Sequence, residues 1–234
     1  MKIQVVSAFR NMSGRVPKYY QQVHALRVAF NSQVELGVVA CTGDNEDRTR
    51  EELLVLQKHF GVPTTIVDYS HGCRDWGSTE EGERLEKLSG VLNAALDGVA
   101  PDTDYVLYVE SDLLWDPYQV HDLVAEVVRD PVTFPVVAPL VYAGEAFYDV
   151  WGFRGTDGER FAPFPPYHSS LKGLVDEECV VEVSSVGSCM VMAGVVARTV
   201  RCENGNALVG WCEAARAGGY RIGVAPHLRV DHPA

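Results

Sequence analysis

The chain has 234 residues, 47% of them hydrophobic, enough to bury one sizeable core and a length typical of one domain rather than two. A formal net charge of −12 opposes nonspecific nucleic-acid binding, which draws on a positive surface, and no apolar run reaches the ~18–20 residues of a membrane span. Cysteines 41, 73, 179, 189, 202 and 212 show neither CxxC pairing nor histidines at finger spacing. They read as reduced thiols of a cytoplasmic protein rather than a zinc site or disulfide framework.

Residues 2–8 lack a signal-peptide core and predict a first strand. Residues 17–30 predict a helix with Pro17 in its first turn, and 34–41 a second strand. Leu53, Leu54, Leu56 and Phe60 recur at helical spacing within 47–60. Next come a short strand at 64–67, a helix at 79–96 and a strand at 105–109. Asp116-Pro117 reads as an N-cap with proline at N1, ahead of a helix over 120–128. A strand at 134–138 completes a β-α alternation that predicts an α/β fold, a single-domain, mostly parallel sheet flanked by helices. From Leu140 to Glu178 the pattern gives way to a long aromatic-rich loop carrying Tyr142, Phe147, Tyr148, Trp151, Phe153, Phe161, Phe164 and Tyr167. Either a lid or acceptor platform, or a cover over a sheet edge, fits that composition. Strands at 180–183, 188–193 and 220–224 and a helix at 206–217 close the chain.

Glu110-Ser111-Asp112 ends the buried-type strand 105–109. Residues two apart on a strand share a face, so the two carboxylates project together at the carboxyl edge, where open α/β sheets bind ligands. Adjacent carboxylates repel unless a cation joins them, and oxygen ligands suit Mg²⁺ or Mn²⁺ shared with a diphosphate. A strand simply turning into water is the plainer account; it explains Asp116 but not the same-face pair. GxGxxG, GxxxxGK[ST] and GxSxG are all absent. Without a glycine-rich first loop, a sugar-phosphate nucleotidyltransferase is disfavoured.

Further segments stand in a telling order: Val5-Val6-Ser7-Ala8-Phe9-Arg10-Asn11, the acidic loop 41–49, the basic helix 84–93, Ser185-Val186-Gly187-Ser188-Cys189-Met190-Val191, and the stretch from Trp211 to His232. With the acidic triplet in the place of a DxD motif, the chain resembles GT-A glycosyltransferases, family 2 enzymes and the fungal mannan-polymerase subunits among them. It also looks like small phage-type DNA-base glycosyltransferases. The resemblance implies a nucleotide-binding half (1–139) and an acceptor half (140–234) of one domain. It implies a metal-dependent transfer from a nucleotide-diphosphate sugar to an acceptor hydroxyl, with Mn²⁺ or Mg²⁺ as cofactor and no membrane partner.

The resemblance also implies residue roles. Asp112 ligates the metal; Glu110 binds it through water or holds the ribose; His232 is a third ligand, or else a surface tail histidine. Ala8, Phe9, Arg10 and Ser111 belong to the donor site. Asp44 and Asp47 contact the base, with helix capping as the alternative for Asp47. Arg84 and Lys87 approach the diphosphate, or form a solvated helix face. Inverting relatives carry an acidic pair where this chain has Ala207-Leu208. A base must then come from Glu213, Asp149 or Glu178, or the enzyme retains configuration and needs no strong base, the side to which the reading leans. A hydroxymethylated DNA base is one acceptor class: Lys2, Arg10, Arg15, Lys18 and Arg27 permit it and the net charge opposes it. A nucleotidyl- or phosphotransferase, or a non-catalytic nucleotide-binding module, are the competing readings.

Overall fold

The computed structural model describes residues 1–31, 33–72 and 81–233. Its strands are β1 (Lys2–Phe9), β2 (Glu35–Thr42), β3 (Thr64–Asp68), β4 (Tyr105–Val109), β5 (Val136–Ala143), β6 (Ala146–Phe147), β7 (Val181–Val183), β8 (Cys189–Ala193) and β9 (Ile222–Asp231). The helices are α1 (Val16–Ala29), α2 (Thr49–Phe60), α3 (Gly82–Asp97), α4 (Pro117–Arg129), α5 (Gly194–Thr199) and α6 (Ala207–Ala217). The strands form one sheet in the order β3-β2-β1-β4-β8-β5-β9-β7, with β6 pairing to β5. β1 pairs in parallel with β2 and β4, β2 with β3, and β5 with β9. β8 is inserted antiparallel between β4 and β5, so β1–β5 and β9 all run one way and the sheet is mostly parallel, as expected.

Alternation along the strands builds two cores, one on each face. Val5, Val38 and Leu107 face α1, α2 and α4 through Tyr19, Leu26, Leu53 and Leu123. Val6, Val39 and Val106 face α3, α5 and α6 through Leu92, Leu96, Val196 and Trp211. Asp116 caps α4 as expected, accepting from the Tyr118 and Gln119 amides. Of the helix expected over 79–96, Thr79 and Glu80 lie outside the described residues, as does Cys73. The last strand runs past 224 to Asp231. Its register jumps from Pro139↔Ala225 to Leu140↔Arg229, so Pro226-His227 breaks the apolar alternation and hides the continuation through Leu228 and Val230. Among the described residues no helix is long and apolar enough to cross a membrane.

The 140–178 segment is more ordered than its composition implied. β5 extends into it, and Tyr142, Phe147, Phe153, Phe161 and Tyr167 are buried in an extension of one core. Phe147 meets Phe153 edge-on at 5.1 Å, a favoured geometry for aromatic pairs. The Ser184 hydroxyl donates to the Gly155 carbonyl (2.6 Å) and Ser185 to that of Gly152, stitching the segment to the stretch before β8. It is therefore a structural cover, while Tyr148 and Trp151 turn toward a cavity.

Candidate active site

β1 winds outward to β2 and β3 on one side while β4 lies on the other, so the sheet has a topological switch point between β1 and β4. Ligands bind outside the carboxyl ends of the strands at such a point. A 330 Å³ cavity opens there, lined by Ala8, Phe9 and Arg10 after β1, Thr42 and Gly43 after β2, Tyr69 and His71 after β3, and Glu110, Ser111 and Asp112 after β4. Arg84 and Lys87 reach it from α3. Glycine inside a helix costs about 1 kcal/mol relative to alanine. Gly90 has a local reason, since a Cβ there would overlap the Tyr69 hydroxyl.

The acidic pair arises from a strand end plus a turn, not from continued strand. β4 stops at Val109; the Glu110 amide donates to the Ser188 carbonyl (2.9 Å) and the Leu113 amide to the Glu110 carbonyl (3.2 Å). Buried Gln22 holds the next residues of the turn: its side chain donates to the Leu113 carbonyl (3.2 Å) and accepts from the Trp115 amide (3.4 Å). Leu114 and Asp231 then exchange two backbone hydrogen bonds of 2.7 and 2.8 Å. That bridge carries the chain end to the site, placing His232 Nε2 3.5 Å from Asp112 Oδ2. The imidazole also stacks on the Tyr148 ring, centroids 3.9 Å apart.

Burial, with Asp149 and Asp112 nearby, pushes the Glu110 carboxyl up to about 8, against the opposing pull of Ser188 and Arg84. Crowded carboxylates of this kind call for a cation. Two carboxylates and an imidazole make a donor set suited to Mn²⁺ or Mg²⁺. Among the described residues no three histidine, cysteine or acidic side chains stand together closely enough to hold a metal ion by themselves, so Glu110, Asp112 and His232 do not form a ready-made protein-only metal site.

A second lobe of 280 Å³ shares Ala8, Arg84, Leu88, Tyr108 and Glu110 with the first. Asp149 stands in its wall, buried. One of its oxygens accepts from the Ser188 amide (2.7 Å) and hydroxyl (2.8 Å), the other from the Gly152 amide (3.2 Å). Burial raises its carboxyl above the ordinary range while those donors pull it back. Gly187 is required here, because a Cβ would overlap the Asp149 carboxylate.

The remaining expected site residues are dispersed. Asp44 and Asp47 do not line the cavity. Asp44 holds the His71 amide (2.8 Å) from behind, and Asp47 accepts from the Thr49 amide at the start of α2 (2.9 Å) and the Ser13 amide (2.8 Å). Glu213 is exposed and accepts from the Asn204 side-chain Nδ2 (2.7 Å); Glu178 is exposed and lines neither lobe. Ala207 and Leu208 line the second lobe. The basic residues near the N-terminus form no single patch. Lys2 pairs with Asp102 (2.7 Å) at the far end of β1, and Arg27 donates to the Gly61 carbonyl (2.7 Å). Arg15 and Lys18 border a groove beside Asp112. Tyr69 and His71 are not singled out by the sequence, while Tyr148, Trp151 and Ser188 fall in segments it flags without assigning them a role. The first two directly follow a parallel strand, a position that could have flagged them.

No protein-family model and no curated protein matches the sequence. Solved structures do resemble it. The mannosyltransferase PcManGT from Pyrobaculum calidifontis, solved with GDP-Man and Mn²⁺, superposes with a TM-score of 0.65 at 12% identity, covering 98% of this chain and 56% of that one. Residues 1–349 of S. aureus TarS, also solved with UDP, give 0.60 at 10% identity over 100% of this chain and 60% of that one. CMP:2-keto-3-deoxy-manno-octonic acid synthetase with CTP gives 0.50 at 17% identity, covering 99% and 90%. The chain thus spans less than two thirds of the first two structures. At these identities the likeness is one of fold, and the fold is that of the GT-A glycosyltransferases.

Proposed function

We propose that the protein is a metal-dependent glycosyltransferase moving a sugar from a nucleotide-diphosphate sugar to an acceptor hydroxyl. The observation that carries this is the approach of His232 to Asp112 beside Glu110, at the switch point of the sheet. Asp112, Glu110 and His232 would hold Mn²⁺ or Mg²⁺; a bound cation would act as a Lewis acid on the leaving diphosphate, worth several kcal/mol. Arg84 and Lys87 face the diphosphate, and Ala8, Phe9, Arg10 and Ser111 the rest of the donor. Asp44 acts on the base through His71, and Asp47 through the loop it ties down. Residues 1–139 serve mainly the donor and 140–234 mainly the acceptor, with His232 on the metal and Leu85 and Leu88 in the second lobe as crossovers. A cytosolic location belongs to the same proposal and rests on the free thiols of Cys41, Cys179, Cys189, Cys202 and Cys212.

Retention of configuration fits this site better than inversion. Ala207-Leu208 cannot take a proton, Glu213 and Glu178 stand outside both lobes, and both oxygens of Asp149 are already engaged. Asp149 is then a positioning residue. Anomeric analysis of the product by NMR should show the donor's configuration; an inverted linkage would overturn this and promote Asp149 to general base. A hydroxymethylated DNA base stays within the proposal as one acceptor. Arg15 and Lys18 should then make duplex binding fall steeply with salt, and no binding at low salt would exclude it.

A nucleotidyltransferase is the second reading, favoured by the likeness to the CTP-bound synthetase and disfavoured by the lack of a glycine-rich loop after β1. Turnover assays separate the three readings. Release of nucleoside diphosphate from nucleotide sugars supports the glycosyltransferase, and pyrophosphate from nucleoside triphosphates the nucleotidyltransferase. Binding without turnover of either leaves a non-catalytic module.

A further inference from the structure

The second lobe is chemically unlike the first. Leu85, Leu88, Val150, Trp151, Ala207 and Leu208 form its walls, and its volume of 280 Å³ suits a small-molecule fragment. Asp149 is held by Ser188 and Gly152, Glu110 is the carboxylate proposed for the metal, and Arg84 is the only cation lining the lobe among the described residues. The apolar pair is held in place. The Ala207 amide donates to the buried Ser89 hydroxyl (2.7 Å), and Ala207 itself takes a positive φ of 27°, uncommon for a residue with a side chain. Trp151 is braced by Arg154, whose guanidinium donates to the Trp151 carbonyl (2.8 Å). A charged body entering these walls would exchange water for leucine, valine and indole, a steep desolvation penalty.

We propose that this lobe takes an uncharged, hydroxyl-bearing acceptor with an apolar or aromatic body, and that Trp151 and Leu208 determine that specificity. The proposal rests on the glycosyltransferase reading. The acceptor's hydroxyl points to the seam at Glu110, where the lobes meet. There its oxygen bonds to the anomeric carbon as the bond from that carbon to the phosphate oxygen breaks. The bonding pair leaves with the diphosphate, and the hydroxyl proton passes to the departing diphosphate oxygen.

The test uses saturation-transfer NMR and thermal-shift titration of three matched alcohols, in the presence of UDP or GDP and Mn²⁺. They are benzyl alcohol, 4-(hydroxymethyl)benzoate and 4-(aminomethyl)benzyl alcohol. Benzyl alcohol should bind at least about tenfold tighter than either charged partner. Leu208→Lys should move the preference toward the benzoate by about as much, and Trp151→Ala should weaken benzyl alcohol. Leu208→Gln, closer in size, should weaken benzyl alcohol and serves if the lysine variant fails to fold. Equal or tighter binding of a charged alcohol by the native chain would overturn the proposal. So would no binding of benzyl alcohol while a nucleoside diphosphate binds. Benzyl alcohol binding with no nucleoside diphosphate bound would instead break the glycosyltransferase reading and leave the lobe standing.

Discussion

In residues 1–139, Arg10, Thr42, Tyr69 and Glu110 each stand just beyond or at the carboxyl end of a parallel strand, so the sheet itself delivers them to one edge. In residues 140–234, Asp149 and Ser188 reach the adjoining lobe and His232 comes beside Asp112 through individual tethers. These are the carboxylate–serine contacts, the Leu114–Asp231 bridge and the stack on Tyr148. A side chain placed by a strand end is an ornament on a rigid frame, whereas a side chain that is itself a tether is part of the frame. Substitutions in the first group should therefore cost mainly activity, except at Thr42, whose buried hydroxyl ties β2 to the Phe9 carbonyl (3.1 Å). Those in the second should cost stability as well.

The largest effect is expected at Asp112. Its removal should lower turnover about 10²–10³-fold, the several kcal/mol assigned to a Lewis-acid cation. The urea midpoint should hardly move, because Asp112 is part-exposed and its close charged neighbour is His232 at 3.5 Å. A large loss of stability in Asp112→Ala would erase the contrast between the halves. Asp149→Ala comes next: it strips acceptors from the Ser188 amide and hydroxyl and the Gly152 amide, and should cost about 3 kcal/mol in urea unfolding. Gly187→Ala, which presses a methyl into the same carboxylate, should cost about 1–3 kcal/mol. His232→Ala sharpens the comparison, since that residue is both tethered and a proposed metal ligand. Calorimetric Mn²⁺ affinity in the presence of nucleoside diphosphate should fall about tenfold, or 1.4 kcal/mol. Stability should fall by no more than the ~0.5–1.5 kcal/mol of its ring stack. Glu213→Gln and Glu178→Gln should change turnover by less than about twofold. A larger fall in either would restore it as a candidate base.

The same contrast governs what the sequence disclosed. The β-α alternation and the acidic triplet were legible because parallel strands are short, apolar and followed by their functional residues. The turn that lets Glu110 and Asp112 share a cavity depends on Gln22 and Ser188, far away in the chain, so strand periodicity alone described it only in outline. The continuation of β9 was hidden by Pro226-His227, and with it the geometric reason for His232 to lie near Asp112. The aromatics of 140–178 announced burial, but not which of them would turn outward. Tyr148 and Trp151 face the cavity while Phe147 and Phe153 fill the core. Asp47 illustrates the opposite case: the local signal for a helix-start carboxylate describes what its side chain contacts.

The most direct test of the central claim is isothermal calorimetry of UDP and GDP against the native chain and Asp112→Ala, with and without Mn²⁺. The account predicts that one nucleoside diphosphate binds the native chain tightly only when Mn²⁺ is present, and that the variant loses the metal-dependent part while remaining folded. Equal binding with and without metal, or binding unaffected by loss of Asp112, would contradict a metal–diphosphate site at the β1/β4 switch point.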